Sequence, residues 1–204
     1  MNNSNSTHIR TKPSKTKRVL AAMGFVVALL VGFSLVAQHF SDGPIGPIQG
    51  GALRTGTLIT EPDQDWSTLL AGEQMASVEL QLVNPLASRI TGAFAYEGGL
   101  YIPCDLGFIW RRLPDTTSRR MMHLIWLVKG WHEHAQADGR VLMRYKGLRY
   151  PLQAVRVTDP AVLADLRTTV EDAALSVFGS LLPEPADPGA IWFFRLDPRE
   201  AGET

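Results

Sequence analysis

The stretch KGWHEHAQADGRVLMRYKGLRYPLQAVRVTDP, residues 129–160, changes its hydrophobic period along its length. It opens as the end of an amphipathic, helical run that begins at MMHLIWLV, with Gly130 as a break or junction and Asp138-Gly139 as the stop. RVLMRYKG and LRYPLQAVRVTD then read as two strands joined around Lys146-Gly147. Arg140, Met143 and Tyr145 alternate imperfectly, while Val155, Val157 and their polar neighbours fit a sheet with one wet face. Pro151 cannot donate to a ladder, so an edge or bulge is expected for it. The stretch closes on a helix start: Thr158 or Asp159 can cap free amides, and Pro160 suits the first helical position.

Before this stretch, strands are expected over 56–60, 76–82, 88–96 and 99–102. SVELQLV and RITGAFAY alternate, Glu97-Gly98-Gly99 joins two strands as a hairpin, and Asn84-Pro85 breaks the run after Val83. After it, AVLADLRTTVEDAALSVFG predicts a helix with Val162, Leu166, Val170 and Leu175 on its apolar side and Gly179 as its stop. LLPEPADPG is a loop and AIWFFRLDP a final strand. The unalternating run Ile191 to Phe194 implies burial on both faces or closure of a barrel. The fold class is mainly β with flanking helices, an α+β arrangement around a small barrel.

The whole chain has 204 residues and 22.4 kDa, 45% apolar and 20% charged, enough for one domain with an appendage. Its twenty basic and twenty acidic residues balance, but Arg10, Lys12, Lys15, Lys17 and Arg18 precede the first acid. Setting those five aside leaves 15 basic against 20 acidic side chains, so the body lacks the positive surplus of a general nucleic-acid binder. The single Cys104 excludes an internal disulfide framework.

The run VLAAMGFVVALLVGFSLVA, residues 19–37, carries no charge, and its basic flank predicts a transmembrane helix with a cytoplasmic N-terminus. A cleaved signal peptide is the rival, with Leu35 and Ala37 before Gln38 as its cleavage pattern. Retention is preferred, because the run exceeds the usual signal core and Leu35 is bulky for that position. The expected organisation is a basic cytoplasmic tail over 1–18, a single-pass helix over 19–37 in the inner or plasma membrane, a Gly/Pro linker or arm over 38–51, and an extracytoplasmic domain over 52–204. The lipid bilayer is the partner this implies.

TGAFAYEGGLYIP, residues 91–103, and the stretch 129–160 together resemble the split β-barrel superfamily of pyridoxamine-phosphate-oxidase-like and deazaflavin-dependent nitroreductase-like proteins. With the VELQLV and WFFRL strands, the resemblance covers most of residues 52–197. It implies a split β-barrel that holds FMN or a deazaflavin in a groove, often at a homodimer interface, and an oxidoreductase activity on a small molecule. It also places Trp131 and the turn Ala135 to Asp138 where that branch has a tryptophan-bearing helix. One departure stands out: where the branch carries a compact Arg/Lys-Ser-Gly cluster, this chain has Asn84-Pro85-Leu86-Ala87-Ser88-Arg89. The alternative is a noncatalytic membrane-tethered binding or assembly module with a degenerate site.

Among polar residues, RRLPDTTSRRMMH offers Arg119, Arg120, Thr117 and Ser118, forked cations and hydroxyls suited to phosphate oxygens, with Lys129 and His132 as additions. The ordinary reading is a solvated basic loop. His132 and His134 are two apart and do not face each other on a helix, so WHEH lacks the four-residue spacing of a zinc protease. Trp110, Trp126, Trp131 and Trp192 supply planar rings, as core aromatics also do. No dinucleotide loop, phosphate loop or nucleophile elbow is present, and no residue reads as a catalytic acid or base. A body outside the membrane would draw electrons from a membrane or extracytoplasmic redox partner.

Overall fold

The computed structural model describes residues 15–46, 48–60, 65–105, 130–178 and 191–199. The strands are β1 (Thr57–Leu58), β2 (Ala76–Leu82), β3 (Ala87–Tyr96), β4 (Gly99–Asp105), β5 (Arg140–Tyr145), β6 (Leu148–Arg156) and β7 (Ile191–Pro198). The helices are α1 (Lys15–Phe40), α2 (Trp66–Leu69), α3 (Trp131–Ala137) and α4 (Pro160–Phe178). The chain divides into two compact units, Met1–Val36 and Ala37–Thr204.

In the second unit β2 pairs with β3 and β5, β4 with β3 and β7, and β6 with β5 and β7. Every one of these pairings is antiparallel, so six strands close into a barrel. β1 lies parallel beside β6. Closure removes the unpaired edges that a six-stranded open sheet would present. The turns Glu97-Gly98 and Lys146-Gly147 have positive φ at both positions, a backbone twist that matches two-residue hairpins.

Side chains alternate across each strand, so one parity fills the barrel. Val78, Leu80, Leu100, Ile102, Val141, Met143, Leu152, Phe194 and Leu196 form its buried lining. The opposite parity of β3, β4 and β7, namely Phe94, Tyr101, Ile191 and Phe193, packs beneath Leu166 of α4. β7 is thus covered on both faces, which is why Ile191 to Phe194 shows no alternation. α4 starts where the capping pattern predicts, with the Asp159 carboxylate accepting from the N–H groups of Ala161 and Val162. Pro151 lies opposite Leu142, and its carbonyl accepts from the Arg199 N–H just past Pro198, where β7 ends. The side lacking an N–H therefore faces a margin of the ladder, and Pro151 sits inside the closed barrel rather than on an edge strand.

Residues 41–46 and 48–56 lie on the outer face of the barrel as an arm. Arg144 forms ion pairs with Glu79 and Asp42, Ser88 donates to the Gly51 carbonyl at 2.6 Å, and Gln81 accepts from the Leu53 N–H at 2.6 Å. Arg149 adds bonds to the carbonyls of Leu53 and Gly56. Gly50 packs so closely on Gly43 that a Cβ would stand 1.7 Å from its oxygen, which restricts that position to glycine.

α1 is a 26-residue helix whose large apolar side chains, among them Val19, Phe25, Leu29 and Phe33, are exposed. Among the described residues no helix is long and apolar enough to cross a membrane. The expected transmembrane helix over 19–37 is corrected accordingly. The bilayer partner, the single-pass inner or plasma membrane location, the extracytoplasmic body and the membrane tether of the alternative go with it. No feature of the described residues supports the expected homodimer or redox partner either.

Hydrogen bonding from Thr55, chiefly, and from the Arg54 amide and Arg144 holds the Asp42 carboxyl well below the usual carboxylate range, against the opposing effect of burial. The folded chain thus keeps it ionised at pH values where the unfolded chain protonates it. Its contribution is present above about pH 4 and is lost as pH falls below that. Urea unfolding at a series of pH values should show a steeper acid loss of stability in the wild type than in Asp42→Asn.

Candidate functional site

One end of the barrel is where β2, β4 and β6 finish and β3, β5 and β7 begin. The strand parity that fills the interior brings Arg89 from β3, Cys104 from β4, Arg156 from β6 and Trp192 from β7 to this end. α3 lies across it, with Trp131 and Ala135 packed into the same cluster as the barrel lining. Gly130 precedes the helix, and the Asp138 N–H closes it by donating to the His134 carbonyl.

The result is a row of planar groups. The Arg89 guanidinium stands 5.0 Å from the centroid of the Trp131 ring. Trp131 lies 5.7 Å from Phe194, and Phe194 lies 6.4 Å from Trp192. The Arg156 guanidinium covers Trp192 at 3.5 Å. His132 meets Trp192 edge to face at 4.7 Å and is wholly buried. Cys104 is also buried, paired across the ladder with Trp192.

The two arginines differ in their surroundings. Arg156 is exposed and donates one hydrogen bond, 3.3 Å long, to Gln136. Arg89 is largely enclosed, and its Nε is buried without a hydrogen-bond partner. Among the described residues no carboxylate pairs with it. Burial lowers its pKa from the ordinary arginine value to about 10, opposed by a smaller contribution from Cys104. A cation taken out of water and left without a counter-charge is costly unless something anionic meets it.

Of the residues singled out in the sequence, Trp131 and His132 come together at this end. Arg119, Arg120, Thr117, Ser118 and Lys129 lie outside the described residues. The chain leaves the barrel at Asp105 and returns at Gly130, both at this end. His132 is buried while His134 is exposed, so the two do not converge.

Two clefts open elsewhere on the domain. One of about 400 Å³ lies between the arm and the outer face of β2 and β5, lined by Thr55, Glu79, Arg144 and Lys146. The other, of about 390 Å³, lies near α2 and α4, lined by Leu70, Glu73, Thr169 and Asp172. The charged groups of the first are already joined in ion pairs, Arg144 with Glu79 and Asp42, and Lys146 with Glu73. At the barrel end, by contrast, the Arg89 guanidinium has no carboxylate partner among the described residues.

No family model matches this chain, and no curated protein matches it. Among solved structures, it is similar to a Corynebacterium glutamicum ATCC 13032 Kitasato protein described as a "putative pyridoxamine 5'-phosphate oxidase". The identity is 13% and the TM-score 0.37, over 68% of this chain and 89% of that one.

Arg89 and Arg156 were not among the expected site residues. The signal was present for Arg89, because it shares the parity of Ala87, Ala93 and Ala95 in an alternating strand and must point inward with them. Arg156 likewise shares the parity of Leu152 and Ala154. What no pattern in the sequence supplies is the pairing of each guanidinium with a tryptophan from another element.

Folded, Arg89 gives up its proton at lower pH than it does unfolded. The penalty for burying its charge is therefore full below about pH 10 and shrinks only as pH rises above that. Without ligand, Arg89→Met should be more stable than the wild type by about 1–3 kcal/mol in denaturant unfolding at pH 8, with the gap narrowing above pH 10.

Proposed function

We propose that this barrel end binds a phosphorylated planar cofactor of the flavin class, FMN or a deazaflavin, as the split-barrel resemblance implies. The Arg89 guanidinium carries the reading: it is enclosed, has no hydrogen-bond partner at Nε and lies against an aromatic face. The residues present fit such a group. A guanidinium presents forked donors to phosphate oxygens, and tryptophan faces accept a planar ring.

A flavin or deazaflavin, when bound, supplies hydride transfer to a small molecule. The chain's own part is to hold and orient it. Arg89 meets the anion, Trp131 and Trp192 bound the ring, and His132 supports Trp192. Arg119, Arg120, Thr117, Ser118 and Lys129 are proposed to add donors to the same anion, since the segment that bears them starts and ends at this opening. No described residue reads as a catalytic acid or base, so reduction would depend on placement and exclusion of water.

The burial of Trp131 favours a second reading. Its ring belongs to the same packed cluster as the barrel lining, so the end of the barrel is closed by the protein's own side chains. A barrel of this kind would bind a partner or ligand without redox chemistry.

Purified protein mixed with FMN and freed of excess should retain absorbance between about 300 and 550 nm, close to one flavin per chain. Arg89→Met should then bind FMN at least roughly tenfold more weakly, the loss expected for a hydrogen bond to a charged group. Folded wild-type protein that retains no flavin would favour the second reading.

A further inference from the structure

Arg156 occupies a place that a ligand ring would need. Its guanidinium stands over Trp192, 3.5 Å from the ring centroid, and the residue is exposed. It is the last residue of β6, opposite Phe194 in the ladder, with the chain leaving the sheet immediately after it. Its tether is slight. Among the described residues no carboxylate pairs with it, and its one hydrogen bond, to Gln136, is long and exposed.

Arg89 and Arg156 therefore do different things. Arg89 is enclosed, and its position is fixed by Trp131 and the barrel wall. Arg156 is on the surface, held by an exposed cation–π contact and one weak bond, and turning its side chain aside disturbs no packed core. A cation over an indole face at such a site is worth only about 0.5–1 kcal/mol. It is therefore displaced by any planar ring that stacks better.

We propose that Arg156 is the specificity gate of this site: its guanidinium covers Trp192 and yields that face to a planar ring of the ligand. The proposal rests on the cofactor reading above and deepens it by naming what the ligand must displace. It selects for ligands that combine a flat ring with an anion. The ring is needed to win the face of Trp192, and the anion is needed to satisfy Arg89.

Two measurements test it, one without ligand and one with riboflavin, which has the ring but no phosphate. Acrylamide quenching of the Trp192 fluorescence, isolated by difference against Trp192→Phe, should increase in Arg156→Ala. Riboflavin should bind Arg156→Ala about two- to fivefold more tightly than the wild type, the fold-change that loss of an exposed cation–π competitor gives. Unchanged quenching would overturn the gate whatever the ligand. Riboflavin bound equally or more weakly by Arg156→Ala would overturn the gate and leave the cofactor reading standing. Absence of both riboflavin and FMN binding in wild type and variant would overturn the cofactor reading and the gate with it.

Discussion

Strand β7 pairs with β4 on one side and β6 on the other, and everything else in the domain depends on that double ladder. The last strand of the chain is the stave that closes the sheet. Without it β4 and β6 would be open edges, and the inward parity of five strands would have no opposite wall. The same closure sets Trp192 beside Cys104 and brings Arg156 within reach of it. The site is thus a consequence of barrel closure more than of any local motif.

Arginine shows what the two sides of this barrel wall do. Arg144 faces outward and lies between Glu79 and Asp42, which favour its charged form and raise its pKa. It fastens the arm of residues 41–46 and 48–56. Arg89 faces inward, and burial lowers its pKa, with no carboxylate paired to it among the described residues. One guanidinium is met by two carboxylates, whereas among the described residues the other has none.

Much of this fold was legible in the sequence. The strand over 76–82, the Glu97-Gly98 and Lys146-Gly147 hairpins, the Asp159 cap and the two-sided burial of Ile191 to Phe194 follow from period, turn chemistry and capping, all of which act locally. The expectation for residues 19–37 did not survive, since among the described residues no helix is long and apolar enough to cross a membrane. The candidate site was only half legible. Trp131 and His132 were singled out, but their partners come from β3, β6 and β7, tens of residues away, and barrel closure makes the contact. Cys104 stood out as the lone cysteine, yet its burial beside Arg89 depends on the pairing of β4.

The central claim is that Arg89 is an anion receptor, and NMR of its Nε–H tests it most directly. An anion beside the guanidinium favours the charged form, so adding FMN should shift the Arg89 Nε resonance and move its pKa from about 10 back up toward the ordinary arginine value. A resonance and a pKa unchanged at saturating FMN would contradict the account.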